Sequence, residues 1–367
     1  MKKILAVLVA ASLLLMGIGF GALAEEKGFS IGMCTANFGN SWCAQFVDDF
    51  TARAEEYKAE GLISEYQIAT VQADLTDQIN QCIAMINSGI DALLIWCVSE
   101  TGVKSIIDLA LANDVLVIIS NETAAYEGTY NIGGSCYHQL HILTQWLAEQ
   151  LPDGGKLVYI SGVDGFSGNE QRNQAVADVL ANYPNIEIIA QAPGNWSNSD
   201  AQAVMTTFLS TYGDEFDGLL AQDVMGDGIL AAYKNADVEP TLLTGDNTKN
   251  FLKTWKTYEN MNSCTVSYDP GIIVTCLDVA MNLLQGKTFK EGILEPNTSD
   301  PNLVNAVYVD PYYVVTREGD QDAVWLADYP NTQALTLDEA LEMLADKEDT
   351  AALDGYLDRS VVDSWFE

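Results

Sequence analysis

Short, continuously apolar runs alternate along this chain with longer segments whose apolar residues recur three and four positions apart. The continuous runs predict strands at Phe29–Thr35, Tyr66–Val71, Ala92–Trp96, Val115–Ile119 and Tyr130–Ile132. The segments between them predict helices, each with one buried face. One carries Phe46, Phe50, Ala54 and Tyr57, another Ile79, Cys82, Ile83 and Ile86, and a third Val103, Ile106, Ile107 and Ala110. The second half repeats the alternation. Its strands are Lys156–Ile160, Ile186–Ala190, Gly218–Ala221, Thr241–Thr244 and Cys264–Val266, with helices near 170–182, 199–210, 225–236 and 247–257. Runs such as Ala92-Leu93-Leu94-Ile95-Trp96 lack a polar face, which fits parallel strands covered on both sides.

Strand–helix alternation with right-handed crossovers implies an α/β protein with a doubly wound parallel sheet in each half. A further helix is expected over 271–285, a loop over 286–303, and extended runs at Val304–Val309 and Tyr312–Thr316 that add to a sheet edge. The expected division is a leader over 1–24, a first lobe of 25–134 plus 268–300, and a second lobe of 135–267 plus 301–335. An acidic helical extension over 336–367 follows, opened by the capping box Thr336-Leu337-Asp338-Glu339. Hinge crossings are expected near 134–135, 267–269 and 301–304.

Lys2 and Lys3 precede an apolar run from Ile4 to Leu15, which glycines interrupt before Ala22-Leu23-Ala24. That is the pattern of an export signal cleaved after Ala24, with an uncleaved anchor as the alternative. The expected location is the periplasm or cell surface. The chain has 367 residues, and 17 Lys+Arg face 52 Asp+Glu, a net charge of −35. Such acidity argues against nucleic acid or an anionic membrane as partner. The seven cysteines form no C-x-x-C pair, which excludes a zinc ribbon or dithiol motif. Most read as small buried hydrophobes.

Ligands of open α/β sheets bind beyond the carboxyl ends of the strands. The residues there are informative. Asn40 and Trp42 follow the first strand, Trp96 ends the third, and Asn121 and Glu122 follow the fourth. Arg172 lies in the helix after Lys156–Ile160, and Trp196 follows Ile186–Ala190. Asp223, Asp246 and Tyr268 follow the next three strands. Aromatic rings suit the C–H faces of a sugar, and Asp, Asn and Arg suit its hydroxyls. Each residue singly also suits a loop or a helix cap.

Over residues 29–290 the sequence resembles the periplasmic sugar-binding proteins of the ribose-binding type, the receptors of ABC importers. The resemblance rests on Asn40-Ser41-Trp42, Leu93-Leu94-Ile95, Val117-Ile118-Ile119-Ser120-Asn121, the helix with Arg172, Ala221-Gln222-Asp223, Thr244-Gly245-Asp246 and Thr265-Val266-Ser267-Tyr268-Asp269-Pro270. It implies the type I periplasmic binding fold, with two lobes joined by a multi-segment hinge, and a membrane permease as partner. It also implies a cleft lined by Asn40, Trp42, Asn121, Glu122, Arg172, Trp196, Asp223, Asp246 and Tyr268, to which the strand-end reading adds Trp96. It implies a monomer, with no cofactor, metal or catalysis. The family commonly has Asp-Arg where this chain has Asn121-Glu122. It often has Asn at Trp96 and at Asp223, and Gln at Tyr268. These departures point away from ribose toward a hexose, a disaccharide or another polyol.

Competing expectations remain open at the level of sequence. Arg172 could clamp the carboxylate of an amino acid or organic acid. Asp223 and Asp246 could serve an exported glycosidase. A sugar sensor feeding a signalling partner would share the same chemistry. His138 and His141, three apart on a helix, make a weak metal face with no third ligand.

Overall fold

The computed structural model of the protein describes residues 28–121, 123–213 and 215–367. The expected leader over 1–24, its cleavage after Ala24, and Glu122 lie outside the described residues. All ten strands expected in the two halves form. They are β1 (Phe29–Ala36), β2 (Ile63–Val71), β3 (Ala92–Ile95), β4 (Leu116–Ser120) and β5 (Tyr130–Gly134), then β6 (Gly155–Ser161), β7 (Ile186–Pro193), β8 (Gly218–Ala221), β9 (Leu242–Thr244) and β10 (Asn262–Val266). The later strands are β11 (Glu295–Pro296), β12 (Val304–Val309), β13 (Tyr313–Thr316) and β14 (Gln333–Thr336).

Among the described residues these form two seven-stranded sheets, ordered β11-β12-β5-β4-β3-β1-β2 and β14-β13-β10-β9-β8-β6-β7. The order 2-1-3-4-5 recurs in both, so the two halves repeat one doubly wound pattern. The pairing is parallel except at β11–β12 and β10–β13. In β3, Ala92 and Leu94 enter the core on one face of the first sheet, while Leu93 and Ile95 enter the core on the other. In β6, Val158 and Ile160 face one core and Leu157 and Tyr159 the opposite one. Each such aliphatic side chain contributes about 1.5–3 kcal/mol on full burial. This is why the central positions of these strands are apolar.

The helices of the first lobe are α1 (Ser41–Ala59), α2 (Leu75–Ser88) and α3 (Lys104–Ala112). Those of the second are α4 (Cys136–Glu149), α5 (Ser167–Leu180), α6 (Asn198–Tyr212), α7 (Gly226–Ala236) and α8 (Lys249–Thr257). Helix α9 (Ile272–Leu284) returns to the first lobe, α10 (Leu337–Met343) packs in the second, and α11 (Arg359–Asp363) docks on the first. Helix α10 starts at the expected capping box of Thr336 and Glu339. In α2 the buried stripe is Gln78, Cys82, Met85 and Ile86, so Ile79 and Ile83 are only partly covered. The stripe turns because Gln78 is needed inside, where it bonds the loop after β3. All seven cysteines are buried, and no disulfide joins any two of them among the described residues.

Two expected boundaries are corrected. Residues 304–309 belong to the first lobe, because β12 pairs with β5 through Ala306↔Asn131 and Val307↔Ile132. The third crossing therefore runs at 310–312, between β12 and β13, and not at 301–304. A fourth crossing was not expected at all. Leu353 packs in the second lobe and Leu357 in the first, so the chain passes over at 354–356.

The crossings are bonded to one another. Ser135 N–H donates to the Val309 carbonyl at 2.8 Å, and Ser267 N–H to the Tyr313 carbonyl at 2.8 Å. Asp269 accepts from Ser267 Oγ at 2.8 Å and from Tyr312 N–H at 3.3 Å. Asp354 accepts from Gly271 N–H at 2.8 Å. Gly355 must lack a side chain, since a Cβ there would lie 2.5 Å from the Tyr312 ring.

Asp354 also pairs with Asp49 of α1. Burial, and then the neighbouring Asp354, push the Asp49 carboxyl up to about 8. Burial likewise raises Asp354 and holds Asp269 well above the ordinary carboxylate range. A carboxyl raised on folding supports the fold while it is protonated, and that support is lost as pH rises through its folded value. Stability should therefore decline between about pH 4 and pH 8 through these groups. Asp49→Asn keeps a hydrogen-bonding partner for Asp354 and should flatten that decline in thermal melts; an unchanged slope would refute the pairing. Tyr57, buried on α1, donates to Asp278 Oδ1 of α9 at 2.8 Å. Tyr57→Phe should cost about 1.5–3 kcal/mol in denaturant unfolding, the usual value of a hydrogen bond to a charged group.

Candidate functional site

The carboxyl ends of both sheets face each other across a cavity of about 40 Å³. Eight of the ten expected residues line it: Asn40, Trp42, Trp96, Asn121, Arg172, Trp196, Asp223 and Tyr268. Asp246 does not. It lies 2% exposed beneath a neighbouring chamber and turns toward the start of α7. There it accepts from Gly226 N–H at 2.7 Å and Met225 N–H at 3.3 Å. Burial, and then repulsion from Asp227 and Asp223, push its carboxyl up to about 8. Glu122 lies outside the described residues. Phe38, Cys43, Cys136 and Val224 line the cavity without having been expected there. A Phe in a Gly-containing loop after β1 was the one available sign among these four.

Arg172 is the cation of the site and is 4% exposed. Its Nε donates to Gln139 Oε1 at 2.8 Å, and a terminal nitrogen lies 3.7 Å from Asp223 Oδ1. The guanidinium sits 4.6 Å from the Tyr268 ring centroid and 5.7 Å from that of Trp196. Cation–π contact thus adds to the ion pair.

The aromatic walls are fixed by their own polar atoms. Trp42 Nε1 donates to the Tyr268 carbonyl at 2.6 Å, and the two rings stack 5.7 Å apart. Trp42 also stacks on Phe46 and meets Trp96 edge-on at 5.4 Å. Trp196 Nε1 donates to Gln222 Oε1 at 2.9 Å. Gln222 in turn donates to the Tyr159 hydroxyl and to Asn169 Oδ1, both at 2.8 Å. The loop carrying Trp96 is held by Gln78, which donates to the Trp96 carbonyl at 2.8 Å and accepts from Val98 N–H at 2.9 Å. Three lining residues have left-handed backbone: Asn121 (φ 61°), Trp196 (φ 50°) and Val224 (φ 62°). For a β-branched residue such as Val224 this stores about 1–3 kcal/mol, and strain of this kind gathers at functional sites.

The lobes touch across the cleft. Phe38 meets Phe166 at 5.3 Å and Trp196 at 5.7 Å, both edge-on. Asn40 Nδ2 reaches the Trp196 carbonyl at 3.4 Å. At the opposite rim Thr123 N–H donates to Ser167 Oγ at 3.0 Å, and Gln171 Nε2 to Thr123 Oγ1 at 3.1 Å. The histidines stand elsewhere: His138 Nδ1 lies 2.6 Å from Asp310 Oδ1, and His141 Nδ1 lies 2.9 Å from the Tyr329 hydroxyl. Among the described residues no cluster of three His, Cys, Asp or Glu side chains is arranged to hold a metal, and no helix is long and apolar enough to cross a membrane.

Comparison with known proteins agrees with this architecture. The chain is 29% identical over 167 residues to the xylitol-binding protein of Mycolicibacterium smegmatis, covering 44% of this chain and 47% of that one, so the match spans about half of that relative. It is 22% identical over 279 residues to the ribose import binding protein of Bacillus subtilis, covering 74% and 87%. Among solved structures, the ABC transporter solute-binding protein of Thermobispora bispora superposes with a TM-score of 0.71 at 19% identity, over 92% of this chain and 94% of that one. The arabinose-binding component of Shewanella gives 0.70 at 20% identity, over 86% and 97%. These likenesses show the two-lobed type I fold. The family model for the periplasmic binding protein domain matches residues 31–288, and the chain belongs to that family.

Proposed function

We propose that the protein is an extracytoplasmic solute-binding protein that captures a neutral sugar or polyol between its lobes and delivers it to the permease of an ABC importer. The observation that carries this reading is the compensated Arg172. Its charge is opposed by Asp223 inside an aromatic-walled cavity. A carboxylate ligand would have to displace Asp223 or share the cation with it, which weighs against an amino acid or organic acid. A neutral ring with apolar faces needs neither. The relatives named for xylitol and ribose support the same class.

Binding without turnover is supported by Asp246. Its oxygens are spent on the backbone of α7, so Asp223 and Asp246 do not form a pair of carboxyls flanking one bond. Ligand contacts with both lobes would favour the closed form, because only differential affinity shifts such a balance. The protein acts as a monomer, exported by the leader and cleaved after Ala24. The lobes divide at 134–136, 267–271, 310–312 and 354–356.

Thermal melts against a panel of pentoses, hexoses and alditols test the function. A true ligand at about a hundred times its Kd should add about 2.7 kcal/mol, a rise of several degrees. Arg172→Met and Asp223→Asn should each abolish the rise. A rise that survives both substitutions would place the ligand elsewhere. Mass spectrometry of the exported protein should find Glu25 as the first residue; an intact Met1 would refute cleavage.

A further inference from the structure

Most hydrogen-bonding groups around the cavity are already spent on the protein. Trp42 Nε1 is taken by the Tyr268 carbonyl and Trp196 Nε1 by Gln222. Asn40 holds the Cys43 N–H through Oδ1 and the Trp196 carbonyl through Nδ2. Arg172 is committed to Gln139 and Asp223. Two donors differ. Trp96 Nε1 and Asn121 Nδ2 are shielded from solvent and have no hydrogen-bond partner among the described residues. Both belong to cavity-lining side chains that are only 7% exposed.

A buried donor without a partner is costly, and folded proteins rarely keep one without a purpose. Here both are held in place rather than left loose. Gln78 clamps the backbone on either side of Trp96. The Trp96 ring is wedged among Phe38, Trp42 and Phe46. The Tyr268 hydroxyl donates to Asn121 Oδ1 at 3.4 Å, which orients the carboxamide so that Nδ2 remains.

We propose that Trp96 Nε1 and Asn121 Nδ2 select the ligand, donating to two acceptor oxygens on the edge of a single-ring sugar or short polyol that faces the first lobe. This rests on the sugar or polyol reading above and gives it a narrower form. Trp42, Trp196, Phe38 and Tyr268 act as walls that demand apolar faces. Trp96 is the tryptophan that reads an oxygen. The unfilled space among these side chains is only about 40 Å³, which favours a single ring over a disaccharide. A ligand lacking either oxygen leaves a buried donor unpaired, and that mismatch discriminates more strongly than a missing methylene.

Titration calorimetry of the whole protein tests the assignment. D-Ribose, D-xylose, D-galactose, xylitol and myo-inositol are titrated first, and the monodeoxy derivatives of the tightest binder follow. On the unaltered protein, two of those derivatives should bind roughly ten- to a hundredfold more weakly than their parent. Trp96→Phe keeps the ring and removes the N–H. Asn121→Asp keeps the left-handed backbone and the acceptor for Tyr268 while removing the donor. Each variant should lose a similar factor toward the parent, and each should leave one deoxy derivative unaffected within about twofold. Melts without ligand confirm that both variants fold, and the derivative series on the unaltered protein stands without them. Parent affinity unchanged in both variants, or an equal loss for every derivative, overturns the assignment and leaves the sugar reading intact. No heat with any of the five compounds overturns both.

Discussion

A guanidinium cannot be taken out of water without partners, and the cleft is organised around meeting that requirement for Arg172. An unpaired buried charge costs several kcal/mol, so each neighbour of this side chain is constrained by it. Gln139 must come from α4 and Asp223 from the loop after β8. Tyr268 must lie under the cation, which places the second crossing where its carbonyl takes the Trp42 N–H. Trp196 must stand at the other side, and Gln222, Tyr159 and Asn169 hold it there. One buried charge thereby ties α1, α4, α5, two strand ends and the hinge into one arrangement. It also sets the electrostatics that the ligand meets, since Asp223 opposes the cation within the same wall.

Much of this was legible in the sequence, for a physical reason. Strands covered on both faces are mostly apolar, so β1, β3, β4, β6 and β8 announce themselves, and the sheet geometry then puts the residues after them on one edge. Asn40, Trp96, Asn121, Trp196, Asp223 and Tyr268 meet because of that rule rather than through any local motif. The failures have equally physical causes. Asp246 stands at a strand end as expected, but an Asp there serves the N–H groups of a helix start as readily as a cleft, and local sequence does not distinguish the two. Val304–Val309 reads as a strand, yet its sheet is chosen by pairing with Tyr130–Gly134, far away in the chain. Val224 adopts a left-handed backbone that its side chain opposes, so propensity argues against what tertiary structure imposes.

The stretch after Thr316 gave no functional reading from sequence, and the structure accounts for its position. It carries the chain back over the hinge, where Asp354 and Gly355 are packed against Asp269, Gly271 and Tyr312. The last helix and the residues after it are fastened to the first lobe by Arg359 on Glu60 at 2.8 Å and by the Phe366 ring, 4.3 Å from that of Phe289 between centroids. Any opening of the cleft must then twist four connected crossings together. The carboxyls buried among them respond to the same motion, because exposing them to water removes the burial that keeps their protons on.

The way β12 and α11 complete the first lobe also sets an order of assembly. Strands β6 to β10 are contiguous in the chain, and β13 joins their edge at Thr265↔Val315, so the second sheet closes over a short excursion. The first sheet closes over a much longer one. Its β5 edge waits for β12, joining residues 131 and 306, and its outer face waits for Val362 and Phe366. Closing so long a loop is entropically costly, and non-local pairing of this kind is slow. The lobe whose strands come first is therefore the last to be finished. Until the final helix docks, an exposed β5 edge and the apolar face of α9 are open to partners other than their own, which is the interval in which a chaperone or a competing chain could act.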